Sequence, residues 1–129
     1  AQFLGFQTGA ELSQTLASLD VFVHTGADET FCQTIQEALA SGVPVVTPAA
    51  GGPMDLVRHG DNGWLFPDDN PALLRGAVAD LVADDTQRLV MGQRARASVE
   101  RRSWDELGEE LVAHYRTLSG AAEGSRRVA

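Results

Sequence analysis

The stretch VFVHTGADETFCQTIQEALASGVPVVT, residues 21–47, decides the fold. Val21-Phe22-Val23-His24-Thr25 opens with β-branched and aromatic residues, the composition of a strand. Gly26-Ala27-Asp28-Glu29 reads as a loop. Thr30 to Ser41 reads as a helix, stopped by Gly42. Pro44-Val45-Val46-Thr47 is an apolar strand with proline at its first position, where the missing N–H is tolerated. Strand, helix and strand at this spacing form a βαβ unit, so the two strands run parallel.

The pattern extends both ways. Upstream, Phe3-Leu4-Gly5-Phe6 reads as the end of another strand. Thr8 and Glu11 form a capping-box pattern before a helix carrying Leu12, Leu16 and Leu19. Downstream, Ala49 to Pro53 is a loop, followed by a short helix at Met54–Arg58. Asp61-Asn62-Gly63 turns the chain into a strand at Gly63–Phe66. Pro71 starts a helix after an Asn70 cap, with a stripe of Leu73, Leu74, Ala77, Val78, Leu81 and Val82. A polar helix spans Asp85 to Val99. Ser103 and Glu106 cap a last helix expected to bury Leu107, Leu111, Val112, Tyr115 and Leu118. The fold class is α/β: a Rossmann-like parallel sheet with flanking helices, of only three to four strands.

Composition narrows the function. The chain has 129 residues and a net charge of −8, which argues against a nucleic-acid footprint. Its single cysteine, Cys32, has no internal partner, so a reducing, cytoplasmic setting is the expectation. No run has the length and apolarity of a membrane span. The chain begins at Ala1 rather than Met, as a fragment or processed piece would. The first basic residue is Arg58. An anion bound near Glu29 would therefore depend on backbone N–H groups, a helix N-terminus or residues outside this chain.

Glu29 and Glu37 bracket the start of the helix, and the second carboxylate falls in an otherwise apolar stretch. Burying an unpaired carboxylate is costly, which suits a site that grips hydroxyl groups. The loop after Thr25 lies at the carboxyl end of a strand, where open α/β sheets bind ligands. The helix start offers free N–H groups from Phe31 to Thr34, fitted to a phosphate or a sugar hydroxyl. A carboxylate at Glu37 can accept two hydrogen bonds from a vicinal diol such as ribose. The same spacing also fits a plain, well-capped helix, since Thr30 and Gln33 match a capping box and Glu37 could be a partly exposed helical residue. No group of His, Cys, Asp and Glu has metal-ligand spacing.

The residues Glu29 to Gly52 resemble the nucleotide-sugar site of the retaining glycosyltransferases of family 4, which have the GT-B fold. That family carries two glutamates separated by seven residues, then Ala-x-Ala-x-Gly-x-Pro-Val-Val and Gly-Gly. Here these are Glu29, Glu37-Ala38-Leu39-Ala40-Ser41-Gly42-Val43-Pro44-Val45-Val46 and Gly51-Gly52. The likeness runs on through Asp61-Asn62-Gly63-Trp64-Leu65-Phe66 and covers residues 1 to about 118. The wording from Thr30 to Glu37 looks most like bacterial mannosyltransferases that use GDP-mannose.

The resemblance implies a partial C-terminal, donor-binding lobe over residues 1–118, with 119–129 as a disordered tail. It assigns Glu29 to the donor-sugar hydroxyls at the catalytic centre. Phe31, Cys32 and Gln33 would present backbone N–H groups to the sugar, and Gln33 and Thr34 to the diphosphate. Glu37 would hold the ribose. The implied partner is a nucleoside diphosphate sugar, as substrate and not as cofactor. The acceptor lobe, and any membrane contact it makes, would lie outside this chain, and the isolated chain is expected to be inactive. Where this chain has Cys32 the family usually has glycine, so a cysteine side chain in the sugar pocket is expected. Readings as a non-catalytic nucleotide- or sugar-binding module, or as a structural α/β fragment, stay open on the sequence, as does oligomeric state.

Overall fold

In the computed structural model, residues 1–100 and 102–126 are described, with side chains up to residue 119. The chain divides into two compact units, residues 1–99 and residues 100–129.

The first unit is a three-layer α/β structure. Its elements are α1 (Gly9–Ala17), β1 (Phe22–Val23), α2 (Gln33–Ala40), β2 (Val45–Pro48), α3 (Pro53–Leu56), β3 (Gly63–Phe66), α4 (Pro71–Ala83) and α5 (Asp85–Val99). The three strands form one parallel sheet in the order β1-β2-β3, with Phe22 opposite Val45 and Val45 opposite Gly63. The central strand β2 is buried along its whole length, as a parallel strand covered on both faces must be.

Successive side chains of a strand point to opposite faces, and the two cores follow from that. Val45 joins Leu16, Cys32, Ile35, Ala38, Leu39, Val57 and Ala95 on one face. Val46 joins Phe66, Ala77, Leu81 and Met91 on the other. The helical stripe predicted for α4 therefore divides: Ala77 and Leu81 are buried, while Leu73 and Val82 are exposed.

Local signals explain most element ends. Asn70 caps α4, its side-chain oxygen accepting from Leu73 N–H at 3.1 Å, with Pro71 as the first helical residue. Gly42, at φ 75°, closes α2 in a Schellman motif: its N–H donates to Leu39 C=O at 2.9 Å, and Val43 N–H donates to Ala38 C=O at 3.0 Å. Buried Asn62 shapes the turn into β3, accepting from Arg58 N–H and donating to Leu56 C=O and to the Ser98 hydroxyl.

Three expectations are corrected. Phe3 to Phe6 is not a strand, and both phenylalanines are almost fully exposed. No strand among the described residues pairs with that segment, and a strand needs a partner. Second, α2 begins at Gln33 and not at Thr30. The cause is Cys32, whose left-handed backbone (φ 51°, ψ 49°) cannot belong to a right-handed helix. Third, in the second unit, α6 (Trp104–Arg126) starts at the predicted Ser103 cap, where the hydroxyl accepts from Glu106 N–H at 3.2 Å. Its apolar stripe is not buried: Leu111, Val112, Tyr115 and Leu118 are exposed. A single helix has nothing within its own unit to bury a stripe against. The segment expected as a disordered tail begins within α6; residues 127–129 lie outside the described residues.

Two helical glycines make opposite predictions. A methyl group on Gly92 in α5 would run into the Gly42 carbonyl, whereas one on Gly76 in α4 would meet nothing within 4 Å. Gly76→Ala should stabilise the protein by up to about 1 kcal/mol through helix propensity. Gly92→Ala should destabilise it by about 1–3 kcal/mol, because overpacking against backbone outweighs that gain. Urea denaturation of the two variants checks the signs.

Candidate functional site

The site is built where two strand-to-helix loops meet at the carboxyl edge of the sheet. β1 leads into the loop ending at Phe31, and β2 leads into Ala49–Gly52. The loops touch backbone to backbone. Gly52 N–H donates to Glu29 C=O at 2.9 Å. A methyl group on Gly52 would stand 2.6 Å from the Glu29 carbonyl oxygen and 2.7 Å from that of Thr30. One on Gly51, itself at φ 58°, would strike the Ala27 carbonyl. Gly51-Gly52 thus allows a close backbone approach, and what approaches is the Glu29 loop of the same chain.

Between the loops lies a cavity of about 460 Å³ lined by Ala27, Asp28, Glu29, Thr30, Ala50, Gly51, Gly52 and Asp55. Its three charged residues are all carboxylates, Asp28, Glu29 and Asp55. Such a lining accepts hydrogen bonds from hydroxyl groups and repels phosphate. The Glu29 side chain is 44% exposed, and its Oε1 lies 3.6 Å from His24 Nε2.

A second feature flanks the cavity in sequence. Helix α2 starts with no side-chain cap, so the first-turn N–H groups of Gln33, Thr34 and Ile35 have neither an intrahelical carbonyl nor a capping side chain. The unfulfilled donors and the helix dipole favour an anion there. The predicted Thr30–Gln33 capping box is absent because Thr30 lies outside the helix.

The remaining predicted site residues are placed as follows. Phe31 is 55% exposed, and its C=O accepts from the Gln36 amide at 2.8 Å. Gln33 and Thr34 are exposed in the first turn of α2. Glu37 is half-buried, and its Oε1 accepts from the Gln33 side-chain amide at 3.1 Å. That partner answers the cost that an isolated buried carboxylate would carry. Glu37 does not line the cavity that holds Glu29.

Cys32 corrects the expected picture. Its side chain is 2% exposed and belongs to the core around Ile35 and Leu39, so it does not line the cavity at Glu29. The left-handed backbone at Cys32 goes with a side chain turned into that core. A non-glycine residue held there costs roughly 1–2 kcal/mol, which gives a conformational reason for glycine at this position. Burial pushes the thiol pKa up, and the Glu29 and Asp55 carboxylates add to the shift. Sequence reading also missed the nearness of His24 to Glu29 and the place of Asp55 in the cavity wall. For His24 the available signal was Gly26, the small residue between the two.

A profile of the family described as glycosyl transferases group 1 matches residues 1–98. The chain belongs to that family. Among its relatives is a GDP-mannose-dependent alpha-mannosyltransferase of Mycobacterium tuberculosis, 48% identical over 121 residues, covering 93% of this chain and 31% of that protein. A protein of the same name from Corynebacterium glutamicum is 45% identical over 115 residues, covering 89% and 28%. The group 1 chain therefore spans about a third of the length of these curated relatives. Anabaena HepE, solved in complex with UDP, superposes with a TM-score of 0.81 at 30% identity, covering 90% of this chain and 32% of that one. The three-stranded sheet and its helices are thus the C-terminal portion of a GT-B glycosyltransferase of family 4.

Two outcomes follow. Gly52→Ala should force the Glu29 loop away, shifting the amide resonances of Ala27 to Thr30 and lowering stability by about 1–3 kcal/mol in urea denaturation. Cys32 should react slowly with iodoacetamide at neutral pH in the native chain and rapidly in denaturant, because both burial and the raised pKa withhold the thiolate. Mass spectrometry of the alkylated chain reads the difference.

Proposed function

We propose that this chain is the donor-binding part of a retaining mannosyltransferase that moves mannose from GDP-mannose to an acceptor hydroxyl. The observation that carries the reading is the position of Glu29, in an acidic cavity beside the uncapped start of α2. The name shared by the relatives at 45–48% identity supports the donor.

The division of labour follows from charge. Carboxylates accept from hydroxyls and reject phosphates, so the sugar belongs with Glu29 in the cavity. Phe31, Cys32 and Gln33 offer backbone N–H groups to that sugar. The diphosphate belongs at the N–H groups of Gln33 and Thr34, where the helix dipole is favourable. Glu37, further along α2, takes the ribose diol. As the glycosidic bond breaks, the leaving nucleoside diphosphate gains negative charge. Fixed amides aimed at that charge lower the barrier without reorganising.

No basic side chain lines the cavity, and the first of the chain is Arg58. The cation that balances a diphosphate, and the acceptor site, are assigned to segments outside these residues. The isolated chain should therefore transfer no sugar.

Calorimetry with GDP-mannose, GDP, UDP-glucose and ADP-glucose tests the assignment. GDP-mannose should bind best. Glu29→Ala should weaken GDP-mannose about tenfold or more while sparing GDP, as expected for loss of charged hydrogen bonds to the sugar alone. Glu37→Ala should weaken both. Binding of no nucleotide, or sugar transfer by this polypeptide alone, would count against the proposal.

A further inference from the structure

The imidazole of His24 occupies a place that packing alone does not explain. His24 follows the last residue of β1, and its backbone N–H is fixed to Val46 C=O at 2.9 Å. Its side chain is 14% exposed and stacks beside Phe22, with ring centroids 6.5 Å apart. The Nε2 atom is buried and has no hydrogen-bond partner within 3.5 Å. A buried polar nitrogen left unpaired is costly, and each such case calls for a reason. The facing group is the Glu29 carboxylate, with Oε1 at 3.6 Å, one tenth of an ångström beyond bonding range.

Gly26 shows that the ring position is built. A methyl group there would stand 2.9 Å from His24 Nε2 and 3.6 Å from Glu29 Cγ. A side chain at position 26 would therefore push the imidazole from the place it holds beside the carboxylate. The chain thus gives up a side chain at position 26 and accepts an unpaired nitrogen at position 24. A ring serving only as packing would be met by an apolar side chain of similar size at no such cost.

We propose that His24 is a positioning residue for Glu29. A shift of a few tenths of an ångström from the 3.6 Å separation lets Nε2–H donate to one carboxylate oxygen and hold the side chain in a single orientation over the cavity. The exposed part of the carboxylate faces the cavity, where it can meet hydroxyl groups of the donor sugar. A carboxylate that is 44% exposed would otherwise sample several rotamers, and fixing them on binding would cost entropy. Nε2 carries the proton because its partner is an acceptor. For its ligand, this inference rests on the donor reading above.

Two measurements test it. In nitrogen-15 spectra of the histidine-labelled chain, His24 should carry its proton on Nε2. Glu29→Ala should abolish that proton's protection from exchange while His59 and His114 stay unchanged. An unprotonated Nε2, or protection that survives Glu29→Ala, would overturn the proposal whatever the ligand. In calorimetry, His24→Leu should weaken GDP-mannose about tenfold and leave GDP within about twofold, the loss expected for one charge-assisted hydrogen bond. His24→Gln, which keeps an N–H donor, should restore most of the difference. Gly26→Ala, which keeps the imidazole but displaces it, should behave like His24→Leu. Parallel weakening of both ligands, or failure of His24→Gln to rescue, would assign His24 a structural role only. If the unsubstituted chain binds neither ligand, the donor reading fails, and the spectra alone decide whether His24 holds Glu29.

Discussion

Burial of β2 on both faces is the constraint on which the rest depends. Val45 and Val46 are neighbours in the chain, yet each sits in a different core. Parallel pairing on either side of β2 orders β1 and β3. Covering both faces then requires helices above and below, which α2 and α4 supply with Ile35, Leu39 and Leu81. Because the strands are parallel, their carboxyl ends share one edge, and the loops that follow β1 and β2 must meet there. The site is therefore a consequence of how the sheet is covered.

The meeting of those loops depends on the absence of side chains. Gly51 and Gly52 permit contact with Ala27, Glu29 and Thr30 at distances no Cβ could tolerate. The hydrogen bond from Gly52 N–H to Glu29 C=O fixes the peptide that carries the cavity's central carboxylate. At the other end of the loop, left-handed Cys32 turns the chain into α2 and sends its own side chain into the core. Glu29 is thus held at its backbone from both directions, while its side chain stays partly exposed. A fixed backbone with an accessible carboxylate is the arrangement that preorganised hydrogen bonding calls for.

Charge then sorts what the site can hold. The cavity wall carries carboxylates, and the neighbouring helix start carries unfulfilled N–H groups. One suits hydroxyls and the other suits an anion, so a ligand bearing both along its length fits better than either alone. This asymmetry matches membership of a family that transfers sugars. The lining of the cavity itself holds no basic side chain.

Much of this was legible in the sequence. The βαβ order, the Asn70 and Ser103 caps, the Gly42 stop, the strand at Gly63–Phe66 and the helix at Asp85–Val99 are all as predicted. These rest on local chemistry: caps, turns and hydrophobic period act within a few residues. The resemblance from Glu29 to Gly52 likewise identified the family, because a spaced motif is a property of the chain. What the sequence left undecided were contacts between segments. Phe3 to Phe6 has strand composition but no partner to pair with. Cys32 looked like a pocket residue until its backbone turned it inward. Glu37 read as either a buried or a partly exposed carboxylate, and it is half-buried with the Gln33 amide donating to it. His24 and Glu29 are brought together across a turn where Gly26 leaves the imidazole its place. Local propensity is encoded residue by residue, whereas proximity and burial depend on which elements the folded chain lays against each other.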